Sequence, residues 1–294
     1  RASISVCECV YVMADDEYQP GVELPSPIYL AVYMVLVAFG GLLYSAKVSV
    51  TSPAMRKKIM KDFGVRLGKV GKTLKEIERK TFHLCGLLVP LIFALLLEAG
   101  FSRWLCSKIC WVLTITGWTI DILRLNVKFV KDNFPLNPIL REKEKNQLSG
   151  ACYFSLGCTL AISFFPPAVA MTSILFLVLG DMSAALIGRS FGGDVVVVKL
   201  GREGKKSVEG SVAMFITCFI LGCTVFSTVH LREYPVVVGA FVATLTELYE
   251  PFGLNDNLTI PLLSSLALTW GFARIHNCVR ENPVTGPLLW YSHH

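Results

Sequence analysis

The chain has 294 residues, of which 53% are hydrophobic and only 17% are charged. Soluble domains carry about a quarter charged residues, so this composition excludes an ordinary water-soluble globule. The formal net charge is +6, and its uneven placement carries information about membrane sidedness; nucleic acid is not expected as a partner.

Apolar stretches near the length that crosses a bilayer recur along the whole chain. Hydrophobic patterning predicts eight spans, at about 28–46, 82–99, 104–123, 150–166, 168–187, 209–229, 235–250 and 257–273. The expected fold class is all-α, a polytopic membrane protein with about eight transmembrane helices. The fourth span is short and ends at Pro166-Pro167, and the seventh is interrupted by Thr244, Thr246 and Glu247.

Orientation follows from lysine and arginine. The connection Lys47–Lys80 holds eleven of them, Arg124–Ser149 six and Arg189–Ser207 five, together 22 of the 28 in the chain. All three connections lie on one side if the spans alternate, and the positive-inside rule makes that side the cytosol. Both termini then face the non-cytosolic side, in keeping with the acidic start at Asp15, Asp16, Glu17 and Glu23. Residues 1–77 read as an N-terminal segment with the first span and a basic connector, 78–273 as the membrane-embedded domain, and 274–294 as a short tail. The ten cysteines fall mostly in apolar spans, where a thiol behaves as a small hydrophobe, and their spacing forms no zinc site.

Four polar clusters fall at the cytosolic ends of spans. In chain order the first is Glu78-Arg79-Lys80-Thr81-Phe82-His83. Arg79 and Lys80 place two cations at the headgroup level, where arginine grips phosphate with parallel donors and lysine acts as a point charge. His83 projects from the same helical face; snorkelling anchors beside a packed histidine are the plainer reading. Asp121 and Arg124 follow, three residues apart on a helix, which predicts an internal ion pair or a part in shaping the site. The next cluster starts at Gly180-Asp181 and runs to Gly188-Arg189. A carboxylate at such depth needs a partner, and Asp181, Ala184, Ala185 and Gly188 form a small face that admits another helix or a ligand. A glycine-bearing connection leads on to Lys205-Lys206-Ser207 at the start of the sixth span. Backbone donors, a helix N-terminus and mobile cations suit phosphate, although the P-loop spacing is absent and no strand is expected before it. Last, Glu247 lies inside the bilayer zone, and Asn255-Asp256-Asn257 offers the oxygen donors that magnesium selects. Asn257 is also placed to cap the eighth span, and its sequon with Thr259 is expected to be unused because it faces the cytosol.

Together these clusters resemble the integral-membrane lipid kinases related to phosphatidate cytidylyltransferases, a superfamily that includes fungal-type CTP-dependent diacylglycerol kinase, dolichol kinase and phytol kinase. Arg79-Lys80-x-x-His83, Gly180-Asp181 through Gly188-Arg189, Lys206-Ser207-x-Glu209-Gly210-Ser211 and Asp256-Asn257-x-Thr259-Ile260-Pro261 carry the resemblance. Asp121-x-x-Arg124-Leu125-Asn126 and the stretch 255–265 look most similar to the diacylglycerol kinase branch.

The resemblance implies transfer of the terminal phosphate of CTP to diacylglycerol, in the endoplasmic reticulum or nuclear envelope. The expected partners are a membrane lipid and a nucleoside triphosphate, and a homo-oligomer is left open. Asp181 and Asp256, with Asn255, are the expected magnesium ligands. Arg79, Lys80, Gly188, Arg189, Lys205, Lys206, Ser207 and Asn257 are the expected nucleotide contacts, and Asp256, Glu247 or His83 the proton acceptor. A dolichol, other polyprenol or phytol acceptor and a cytidylyltransferase are the rival enzymes. A multi-pass transporter is the rival of another class, disfavoured because the polar groups sit at span ends and no inverted repeat is visible.

Overall fold

A computed structural model of the chain describes residues 84–132, 134, 144–191, 199–200, 206–227, 229 and 231–281. The chain enters on a 3-10 turn, Cys85–Leu87, that continues into α1, Leu88–Glu98. Ser102 caps α2, Arg103–Asn126, by accepting the Leu105 N–H. A short α3, Lys128–Asp132, follows, and α4 spans Gly150–Phe164. The prolines that close the fourth predicted span open the next helix, because proline suits the first helical turn: α5 is Pro167–Leu175. It passes through a π-helical turn, Phe176–Gly180, into α6, Asp181–Phe191. Two-residue strands β1, Lys199–Leu200, and β2, Lys206–Ser207, pair antiparallel, with Leu200 opposite Lys206. Three helices complete the described chain: α7, Val208–Val225; α8, Glu233–Tyr249; and α9, Asp256–Glu281.

The second to eighth predicted spans each coincide with a helix. The segments Arg103–Asn126, Pro167–Gly188, Val208–Val225 and Asp256–Ile275 are long and apolar enough to cross a membrane. The first predicted span and both termini lie outside the described residues. The β1–β2 pair corrects the all-α expectation locally: a short strand, β2, does precede α7.

The α5–π–α6 segment is the centre of the bundle, and 72% of its apolar window is buried. Helices α4, α9, α8, α7 and α1 surround it, with α2 outside. Phe176, Leu177, Val178 and Ile174 are fully buried there. The outer face of α2 shows Trp104, Val112, Leu113 and Ile115, as a lipid-facing helix does.

Lipid gives little hydrophobic drive for helices to associate, so polar contacts and close packing hold them. A ladder of hydroxyls joins α2 to α4: Ser107 to Ser163 at 2.7 Å and Thr114 to Thr159 at 2.7 Å. Arg103 closes one end of it, donating to the Ile162 and Ser163 carbonyls in the last turn of α4. Asp121 closes the other. Its carboxylate accepts from Arg124 Nε at 2.7 Å and from the Ser149 N–H at 2.8 Å, while Arg124 donates to the Gln147 carbonyl. The internal Asp121–Arg124 ion pair expected from their spacing is therefore present, fully buried, and clamps the start of α4 onto α2.

Candidate functional site

The antiparallel succession α4, α5–π–α6, α7, α8 and α9 brings the start of α4, α7 and α9 and the end of α6 and α8 to one end of the bundle. Contacts there confirm the convergence. Asn257 donates its side-chain amide to the Gly150 carbonyl at 3.1 Å, linking α9 to α4. Lys206 is bonded to Glu247, linking β2 to α8. Gly188 of α6 lies so close to α7 that a Cβ on it would stand 2.9 Å from Ser207 Oγ. The small face Ala184–Gly188 accordingly packs on a helix: a Cβ on Gly210 would stand 2.7 Å from the Ala184 carbonyl oxygen.

At the centre of this end is a charged cluster. Asp181 is 7% exposed and opens α6 directly after the π-turn. Glu247 is 4% exposed in the last turn of α8. Lys206 forms an ion pair with Glu247 and lies 3.6 Å from Glu250. Asp256 is the first residue of α9, and it and Asp181 both act electrostatically on Lys206 and on Glu247. Burial alone would lower the Lys206 pKa; Glu247 above all, then Asp256 and Asp181, outweigh that and hold the ammonium above the ordinary lysine range. Carboxylates from three helices thus surround one lysine.

The neighbouring residues have structural duties. Ser207 is the N-cap of α7 and accepts the Gly210 N–H at 3.2 Å. Asn255, not Asn257, supplies the side-chain cap of α9: its Oδ1 accepts the Asn257 N–H at 3.0 Å, and the Asp256 carboxylate accepts the same N–H at 2.9 Å. The physical reason is that α9 begins at Asp256, two residues earlier than a cap at Asn257 would place it. Arg79, Lys80, His83 and Lys205 lie outside the described residues, and the side chain of Arg189 does too.

Three features were not foreseen. The π-turn before Asp181 has no sequence signature beyond an unbroken apolar run. The Lys206–Glu247 pair joins residues 41 apart. Glu250 adopts a left-handed backbone, φ 45°, ψ 67°; Pro251 signals that α8 must stop there, but not in that conformation.

Magnesium is bound by one or two carboxylates together with substrate phosphates and water. Among the described residues no group of three or more His, Cys, Asp and Glu forms an all-protein metal cage. Asp181 and Asp256 do supply hard oxygen donors around one cluster, a donor set that fits an ion arriving with a nucleotide.

Comparison with known proteins gives consistent relatives. The chain is 28% identical over 210 residues to CTP-dependent diacylglycerol kinase 1 of Schizosaccharomyces pombe, covering 66% of this chain and 92% of that one. It is 29% identical over 221 residues to CTP-dependent diacylglycerol kinase 1 of Saccharomyces cerevisiae, covering 66% and 72%. It is also 29% identical over 173 residues to phytol kinase of Synechocystis, covering 55% and 72%. No protein-family model and no solved structure matches.

Proposed function

Because the chain belongs to the membrane lipid kinase superfamily of the CTP-dependent diacylglycerol kinases and phytol kinases, we propose that it transfers the terminal phosphate of CTP to the hydroxyl of diacylglycerol, giving phosphatidate and CDP. The observation that carries this reading is the cluster of Asp181, Lys206, Glu247 and Asp256 at one end of an apolar bundle. Such a site offers charge control for a triphosphate next to lipid.

Phosphoryl transfer depends on positioning and electrostatic stabilisation more than on covalent chemistry. Asp181 and Asp256, with Asn255 beside them, would hold magnesium, whose contribution is to neutralise charge on the nucleotide phosphates. Lys206 presents its ammonium to the transferring group, and on the family resemblance Arg79, Lys80, Arg189 and Lys205 would supply further cations. Ser207 and Asn257 fix the helix ends that frame the site, and Gly188 lets α6 and α7 approach. The lipid hydroxyl enters sideways with its chains still in the membrane, and Asp256 or His83 accepts its proton. The site faces the cytosol, in the endoplasmic reticulum or nuclear envelope.

The similarity to phytol kinases supports one alternative, a prenyl alcohol such as phytol or a dolichol as acceptor. A labelled-phosphate assay in mixed micelles tests both, crossing CTP and ATP with diacylglycerol, dolichol and phytol. The proposal expects phosphatidate with CTP and diacylglycerol. Product only with dolichol or phytol moves the assignment to that acceptor. No product with any acceptor, together with solute uptake in vesicles, removes the kinase reading.

A further inference from the structure

We propose that Glu247 is a positioning residue that holds Lys206 from the buried side, and that Glu250 marks the place on Lys206 that a nucleotide phosphate takes over. The inference rests on the kinase reading above and adds to it a division of labour between two carboxylates.

Lysine carries three donors on a flexible stem, and the Lys206 side chain, in the two-residue strand β2, is 27% exposed. Besides Glu247 and Glu250 at the end of α8, which lie in direct reach, Asp256 of α9 and Asp181 of α6 act electrostatically on its ammonium, while β2 itself packs on β1 and α7. The two partners in direct reach differ in kind. The Glu247 side chain is 6% exposed and forms the close bond, while that of Glu250 is 42% exposed and lies 3.6 Å away. A buried ion pair resists loss of either member, because the remaining charge is left without compensation. An exposed, longer one is screened and exchanges readily.

The backbone at Glu250 supports the assignment. Its left-handed conformation is one that helix ends usually give to glycine, and a side chain there carries strain. At that position the side chain comes within reach of Lys206. A phosphate oxygen is the stronger partner for an ammonium in that place, so nucleotide binding displaces Glu250 while Glu247 keeps the ammonium aimed. A carboxylate already committed to Lys206 in this way is not the proton acceptor.

Two predictions of opposite sign follow for the full chain assayed in mixed micelles with CTP, magnesium and diacylglycerol. Glu247→Gln raises the KM for CTP about tenfold or more, as expected for loss of a charged hydrogen bond, and Glu247→Asp recovers part of it. Glu250→Gln leaves that KM unchanged or lowers it, because a competitor for the ammonium is gone. In a Lys206→Met background, Glu247→Gln adds less than about twofold, since a residue acting through another shows no independent effect. A Lys206→Met, Glu247→Met double variant removes both charges together and serves as the folding control by thermal unfolding in detergent. Equal cost of Glu247→Gln with and without Lys206, or a raised KM in Glu250→Gln, overturns the proposal. Wild-type protein that transfers phosphate to no acceptor overturns the kinase reading, and the proposal with it.

Discussion

Asp181 is the residue whose place in the molecule is hardest to account for by packing alone. It is a buried carboxylate at the end of an apolar helix, set among Lys206, Glu247 and Asp256. Replacing it with alanine should lower transfer roughly 100- to 1,000-fold, the range seen when one preorganised electrostatic group is removed, while thermal unfolding in detergent stays close to wild type. A variant with wild-type turnover would take Asp181 out of the site. Lys206 gives a pH test. Its pKa is raised, so the stability its ion pair supplies is present through neutral pH and is lost only as pH rises past the ordinary lysine range of about 10.4. Transfer should therefore show no alkaline limb from Lys206 between roughly pH 7 and 10, which a kcat profile checks and a Lys206→Arg variant should reproduce. At this scale the sequence identified Asp181 and Glu247 because each charge stands out against an apolar run, and Lys206 and Asp256 because they sit in polar motifs at the starts of spans. It did not disclose that Lys206 and Glu247 bond to each other, since contacts between distant segments depend on how the helices pack.

The elements that place these residues are legible to different degrees. Seven predicted spans coincide with helices because apolar length and the Pro166-Pro167 break are local signals. The π-turn at Phe176–Gly180 is not local in that sense: the whole run Thr172–Leu179 is buried on all sides, so no polar side marks a change of helical phase. Such turns occur often at functional sites, and here the turn sets the direction from which Asp181 leaves the helix. Gly210 fixes how closely α7 approaches α6. Gly210→Ala should cost about 1–3 kcal/mol of stability, because the new methyl would meet the backbone oxygen of Ala184 at 2.7 Å; transfer should fall with it. Asp121 is a stability element by contrast. Asp121→Ala leaves the Arg124 guanidinium buried without its carboxylate and should cost about 3–5 kcal/mol, read as a lower unfolding temperature. Activity per folded molecule should change far less than for Asp181→Ala.

At the scale of the whole molecule, the described helices form a bundle whose buried charged residues, Asp121, Arg124, Asp181 and Glu247, gather at one end and whose flanks are apolar. The distribution of Lys and Arg predicts that this end faces the cytosol. A cysteine placed at Asn146, in the connection between α2 and α4, should react with a membrane-impermeant thiol reagent from the cytosolic side of sealed microsomes; labelling only after the vesicles are opened would reverse the orientation. Composition sufficed for the membrane class, while the sidedness and the site's chemistry rest on charge placement and motifs. The meeting of those motifs became visible only through contacts such as Lys206–Glu247 and Asn257–Gly150. The central claim is that Asp181 and Asp256 serve one ion-and-phosphate pocket. Electron paramagnetic resonance of manganese bound to the purified protein with CTP tests it most directly. The account predicts one tightly held ion in the wild type, released equally by Asp181→Asn and by Asp256→Asn. Wild-type manganese binding in either single variant would contradict it.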